Sequence, residues 1–189
     1  MGDGDTYESM AGRYDMALNT FRALLEDTQA EREAFPTRFL QMINSPVHGI
    51  DHWVRVGLYA LDIGHQLWAD GRVDIEVFVS RNKFEQAIIQ AAFFHDSMRI
   101  TEGCEFDHGR WADNVWCHYA SRKGFGRAYI EAVSEALVYH VDNPPVIPNA
   151  GVFTTCLCNG DRLDRVRLGE SPDPKRMYDE KRWKVVRPN

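Results

Sequence analysis

The stretch Ala91-Ala92-Phe93-Phe94-His95-Asp96-Ser97-Met98-Arg99 decides how the chain reads. An apolar helical run ends in an adjacent histidine and aspartate. Reading backwards, Phe84, Ala87, Ile88, Ala91 and His95 share one face at helical spacing. That face is apolar up to its last member. The spacing therefore predicts a core helix, from about Lys83 to Phe94, that delivers His95 to the interior. Asp96 follows about 100° round the helix. An imidazole and a carboxylate buried together are costly unless something binds them. A divalent metal ion suits both, taking a neutral ring nitrogen and an ionised oxygen at once.

The same arrangement recurs on either side. In Val47-His48-Gly49-Ile50-Asp51-His52-Trp53-Val54-Arg55-Val56, the residues His52, Val56, Tyr59 and Ile63 fall on one helical face, with Asp51 in the first turn. His48 precedes this helix, in a loop from which it can reach the same centre. Ile130, Val133, Leu137 and His140 form another stripe that ends in a histidine. Phe153, Leu157, Asp161, Asp164 and Leu168 form a last one, with aspartate at an inward position after two apolar turns. Four apolar helices thus end, or pass inward, at a ligand-type residue: His52, His95 with Asp96, His140, and Asp161.

The remaining segments are helical or punctuating. A helix is expected over 14–33 with Leu18, Phe21, Leu24 and Leu25 inward, then a short one starting at Pro36 and running through Phe39, Leu40 and Ile43. Asn44-Ser45-Pro46 breaks it. Val73–Val77 alternates too briefly for a strand. Residues 100–109 form a polar, glycine-containing loop with Glu102, Asp107 and His108. Trp111, Val115 and His118 mark a further helix, ended by Lys123-Gly124-Phe125-Gly126. Turns are expected at 142–145 and 148–149, and residues 1–8 read as frayed. The expectation is an all-α fold.

Composition bounds the function. The chain has 189 residues, 44% of them hydrophobic and 26% charged, and a net charge of −6. That charge argues against sequence-independent nucleic-acid binding. It is unevenly spread: residues 161–189 hold nine basic residues and six acids, a region that could face a phosphate substrate or simply solvent. Cys104, Cys117, Cys156 and Cys158 form neither a disulfide framework nor a C-x-x-C site. No apolar run approaches the ~20 residues needed to span a bilayer. The opening Met1–Thr6 fits the myristoylation pattern only formally, because two acids, Asp3 and Asp5, follow close on Gly2. A reducing cytoplasm is the expected compartment.

Three stretches in order resemble the HD-domain superfamily of metal-dependent phosphohydrolases, in its small stand-alone bacterial form. They are His48–Val56, His95–Arg99 with Asp107-His108-Gly109, and Asp161-Arg162-Leu163-Asp164. The resemblance covers 48–169 and implies an HD-type helical bundle with a central metal site. It divides 1–189 into N-terminal helices (1–44), the HD core (45–169) and a C-terminal extension (170–189). It implies His52, His95, Asp96 and Asp161 as metal ligands, with His108 and His140 as candidates for a second ion. Relatives often read Asp-Ala-Asp where this chain has Asn159-Gly160-Asp161, so one outer carboxylate is lost while Asp161 is kept.

The expected chemistry is hydrolysis of a phosphate monoester or diester, of a nucleotide or a similar small metabolite, by metal-activated water. Imidazole and carboxylate donors suit one or two ions of Mn, Fe, Co, Ni or Zn better than Mg. Asp96 can orient or bridge. Arg99, three residues on, could fork onto phosphate. His48 and His108 could protonate the leaving oxygen. Arg55 and Arg162 are weaker candidates for the phosphate, and His65 and His118 read as structural. The alternatives are a di-iron oxygenase on the same scaffold and a non-catalytic, metal-stabilised domain. Association into a homo-oligomer stays open.

Overall fold

The structure, a computed structural model, describes residues 10–74, 76–103, 105–141, 150–171, 177 and 178, with side chains from Tyr14 onward. Residues 1–8, the turns at 142–145 and 148–149, Cys104 and most of 170–189 lie outside the described residues. Among the described residues the α-helices are α1 Met10–Ala30, α2 Ile50–Ala69, α3 Arg81–Phe94, α4 His108–Arg122, α5 Arg127–Tyr139 and α6 Val152–Asp164. No strand occurs among the described residues. The architecture is all-α. Among the described residues no helix is long and apolar enough to cross a membrane, and Cys117, Cys156 and Cys158 are free thiols.

Helix α3 is the centre of the bundle. Ser80 caps its first turn by accepting from the Lys83 amide at 3.3 Å. From Ala87 to Met98 every residue is buried, through the helix and into the turn beyond it. A helix that is covered all round belongs in the middle of a core. Phe93 packs edge-on to Trp53 of α2 and tilted against Phe21 of α1, and Phe94 packs tilted against Trp116 and Tyr119 of α4. These aromatic contacts surround the end of α3, where His95 and Asp96 stand.

Helix α2 packs most extensively on α6 and then on α3. Gly160 allows the α2–α6 approach: a Cβ there would lie 2.7 Å from the Val56 carbonyl oxygen and 3.1 Å from the Ala60 nitrogen. Gly109 does the same for α4 and α5, where a Cβ would meet the Leu137 carbonyl oxygen at 2.5 Å. Each glycine adjoins a candidate ligand, Asp161 or His108.

Three local expectations change. The helix expected after Pro36 is a run of turns. The Leu40 amide donates to the Ser97 carbonyl at 2.7 Å, not to a helical partner, and Leu40 takes a left-handed φ of 61°. Leu168 leaves the α6 stripe and is 47% exposed, because α6 stops at Asp164 and the 3-10 turn after it ends at left-handed Gly169. His108, expected at the end of the loop and near the start of the Trp111 helix, is the buried first residue of α4.

Candidate metal centre

Five of the seven histidines converge with Asp96 and Asp161. His52 comes from the first turn of α2, His95 and Asp96 from the turn that closes α3, and His108 from the start of α4. His140 caps the end of α5, and Asp161 lies one turn before the end of α6. His52, His95, Asp96, His108 and His140 are all at most 5% exposed.

Every inward ring is held by its other nitrogen. The Nδ1 of His95 bonds the Ala92 carbonyl at 2.7 Å, and that of His140 bonds the Leu137 carbonyl at 2.7 Å. The Nδ1 of His108 bonds the Glu105 carbonyl. A carbonyl only accepts, so these three Nδ1 atoms carry the hydrogen and Nε2 is the nitrogen that faces inward. His52 is held by a carboxylate instead, with Nδ1 2.7 Å from Asp164 Oδ2. Tethering of this kind is what fixes the orientation of metal-binding imidazoles.

Besides the group that His48 forms with His52 and Asp96, the donor atoms fall into two groups that meet at Asp96. In one, His52 Nε2 lies 3.3 Å from His95 Nε2 and 3.3 Å from Asp161 Oδ1. In the other, His108 Nε2 lies 2.8 Å from His140 Nε2. Asp96 turns one oxygen to each. Its Oδ2 is 3.5 Å from His52 Nε2 and 3.6 Å from His95 Nε2. Its Oδ1 is 3.1 Å from His108 Nε2 and 3.7 Å from His140 Nε2. Ligand atoms held at about 2.1 Å from one ion lie about 3.0–3.4 Å apart; the 3.1 and 3.3 Å spacings fall in that range and the others within a few tenths of an ångström of it. His52, His95 and Asp161 could hold a metal ion, as could Asp96, His108 and His140.

Protonation favours the same role. Burial pushes His95 down to about 3 and also lowers His140, so both rings are neutral. Burial alone would raise the carboxyls of Asp96 and Asp161. The histidines around them win, His95, His108 and His140 for Asp96 and His52 for Asp161, and both carboxyls fall below the usual range. His52 is raised, because the bonds to Asp161, Asp164 and Asp96 outweigh its burial. Ionised carboxylates beside neutral imidazoles are the forms that bind metal, and displacement of one proton from His52 completes the set.

No family model, curated protein or solved structure matches the chain.

The centre opens on a cleft of about 640 Å³, lined among others by His48, Arg99, Glu102, Phe106, Arg162 and Arg167. His48 reaches it from the loop expected, with Nδ1 2.9 Å from Asp96 Oδ2 and Nε2 3.9 Å from Glu102 Oε2. Arg99 does not continue the helix of Asp96. Its Nε donates to Asp96 Oδ1 at 2.9 Å, and an Nη donates to the Gly103 carbonyl at 2.8 Å. Arg55 donates to Asp164 at 2.7 Å. His65 bonds Glu85 at 2.8 Å and His118 packs edge-on to Phe35, both outside the centre.

Two residues with no role assigned from sequence stand behind the ligands. Asp164 holds His52 while accepting from Arg55 and Arg167, and although burial opposes it these three bring its carboxyl down to about 2. Arg167 also donates to the carbonyls of Pro46 and Val47, tying the His48 loop to α6. The signal was the spacing: 161, 164 and 167 recur every three residues.

Proposed function

We propose that the chain is a metal-dependent phosphohydrolase of the HD type, acting on a small phosphate ester such as a nucleotide. The observation that carries this is Asp96, one carboxylate between two groups of converging donors at the floor of a cleft that arginines line. His52, His95, Asp96 and Asp161 would hold one ion, and Asp96, His108 and His140 a second. A divalent ion there supplies Lewis acidity and a water acidic enough to ionise near neutral pH.

The chain's own groups do the rest. Asp164 fixes the His52 ring, and the Ala92, Glu105 and Leu137 carbonyls fix the other three. Arg99 holds Asp96 in place through Nε and lines the cleft, so it stays a candidate for the phosphate contact beside the other cleft arginines. His48, whose Nδ1 is tied to Asp96, is the group to pass a proton from Nε2 to the leaving oxygen. Four imidazoles among six donors also suit iron, and that composition keeps a di-iron oxygenase as the second candidate.

Phosphate release from a panel of nucleotides and sugar phosphates, with Mn, Co, Ni, Fe and Mg added in turn, is the test. Metal-dependent release is expected for the wild type. Asp96→Ala should lose at least about 100-fold, since loss of an outer partner alone costs about 10–100-fold, while helical circular dichroism stays unchanged. No release with any metal, or an Asp96→Ala protein within a few-fold of wild type, would defeat the proposal. Iron content, colour and oxygen uptake without phosphate release would favour the oxygenase.

A further inference from the structure

The turn before α4 carries a ring that faces water. Phe106 is 74% exposed, and among the described residues it is the only exposed aromatic. A single exposed apolar side chain is ordinary and means nothing by itself. The position of this one gives it meaning. Phe106 lines the cleft of the candidate metal centre, two residues before His108. The chain on either side of it is tied down. The Glu105 carbonyl accepts from His108 Nδ1, and the Glu105 carboxylate accepts from the Ile100 amide at 3.1 Å. The Asp107 carbonyl accepts from the Trp111 amide at 3.1 Å, within the first turn of α4. The root of the ring is therefore fixed relative to the centre.

A second exposed apolar residue lines the same cleft. Leu168 closes the 3-10 turn that follows α6. Its neighbour Arg167 is bonded to Asp164 and to the Val47 carbonyl, so this segment is also held. Val47 and Val141 line the cleft as well. The cleft thus joins two chemistries. Arginines and the converging histidines and aspartates suit a phosphate and a metal ion. The apolar side chains, with an aromatic ring among them, suit something flat. A nucleotide carries both parts in one molecule, a charged phosphate and a planar base. A cleft of about 640 Å³ is of the size that holds a small molecule. Stacking on an aromatic ring needs only a π-face, and every base has one.

We propose that Phe106 is the ring on which the base of a nucleotide stacks, so that the cleft selects nucleotides over phosphate esters that lack a base. This rests on the phosphohydrolase reading of the same cleft and narrows its substrate class. A ring face does not read the hydrogen-bonding edge of a base. The selection is therefore for the presence of a base and not for one base over another.

The test is titration calorimetry on the full-length, manganese-dialysed protein with two ligands that differ only in the base. One is the phosphonate analogue of AMP, in which carbon replaces the ester oxygen. The other is the same compound with hydrogen in place of adenine. Neither can lose its phosphorus group by hydrolysis, so binding is read apart from turnover. Wild type should bind the base-bearing ligand about tenfold more tightly, the size of one base–aromatic stack. Phe106→Ala should lose that preference and leave the base-free ligand unchanged. Phe106→Trp should keep it. Manganese content should be the same in all three proteins.

Equal binding of the two ligands by wild type, no binding of either, an undiminished preference in Phe106→Ala, or equal weakening of both ligands there would each overturn the proposal. If Phe106→Ala loses manganese, Phe106→Leu, which keeps bulk without a π-face, takes its place, and an undiminished preference there overturns it equally. Base-selective binding without phosphate release from any nucleotide would count against hydrolysis and not against the role of Phe106.

Discussion

Asp164 accepts from His52 Nδ1 through one oxygen and from Arg55 through the other, so its charge and both its oxygens bear on the orientation of His52. Asp164→Asn keeps the size and removes the charge. Its expected effect is a loss of about 10–100-fold in metal affinity, the usual consequence of removing the partner of a ligating histidine. Competition dialysis against a chelator of known affinity measures it, and an unchanged affinity would show that His52 needs no such partner. At this scale the sequence was partly legible. His52, His95 and His140 each end an apolar stripe, so their inward direction follows from helical spacing alone. The partners of Asp164 and Arg167 were not legible, because His52 is 112 residues from Asp164 and Val47 is 120 from Arg167. No local pattern encodes such pairings. The orientation of Arg99 was not legible for a local reason: the chain leaves the helix at His95, and the Arg99 guanidinium folds back onto Asp96.

Helix spacing controls the centre as much as the ligands do. Asp161 meets His52 because α6 lies close against α2, and the contact closes at Gly160, where a methyl group would stand 2.7 Å from backbone oxygen. Gly160→Ala must therefore separate the two helices. The expected cost is about 1–3 kcal/mol, typical of overpacking, together with weaker metal binding because Asp161 moves with its helix. Denaturant melts of the metal-free protein measure the first and metal titration the second. A neutral Gly160→Ala would mean that α2 and α6 adjust without strain. The helices themselves follow from the sequence, since their apolar stripes coincide with buried faces. The turns over 36–44 do not, because the Leu40 amide is bonded to Ser97, a partner that exists only once α3 is in place.

Across the whole molecule, α1 is pinned to α4 by Asp27, which accepts from Tyr119 at 2.8 Å and from Lys123 at 2.6 Å. Partial burial would raise the Asp27 carboxyl, but these two bonds prevail and lower it. A carboxyl lowered in the folded state contributes stability above its ordinary value, and that contribution fades as pH falls through the folded value. Asp27→Asn should thus lower the melting temperature at neutral pH, and the gap to wild type should narrow as pH falls below about 4. A gap independent of pH would remove the charge from the explanation. The bundle as a whole brings five helix ends to one point, and what it brings there is a set of histidines and aspartates that could hold metal, with Asp96 between them. Anomalous X-ray diffraction from manganese-soaked crystals tests this most directly. The expected result is a peak among His52, His95, Asp96 and Asp161 and a second among Asp96, His108 and His140; the absence of any peak within reach of these side chains, at saturating manganese, would contradict it.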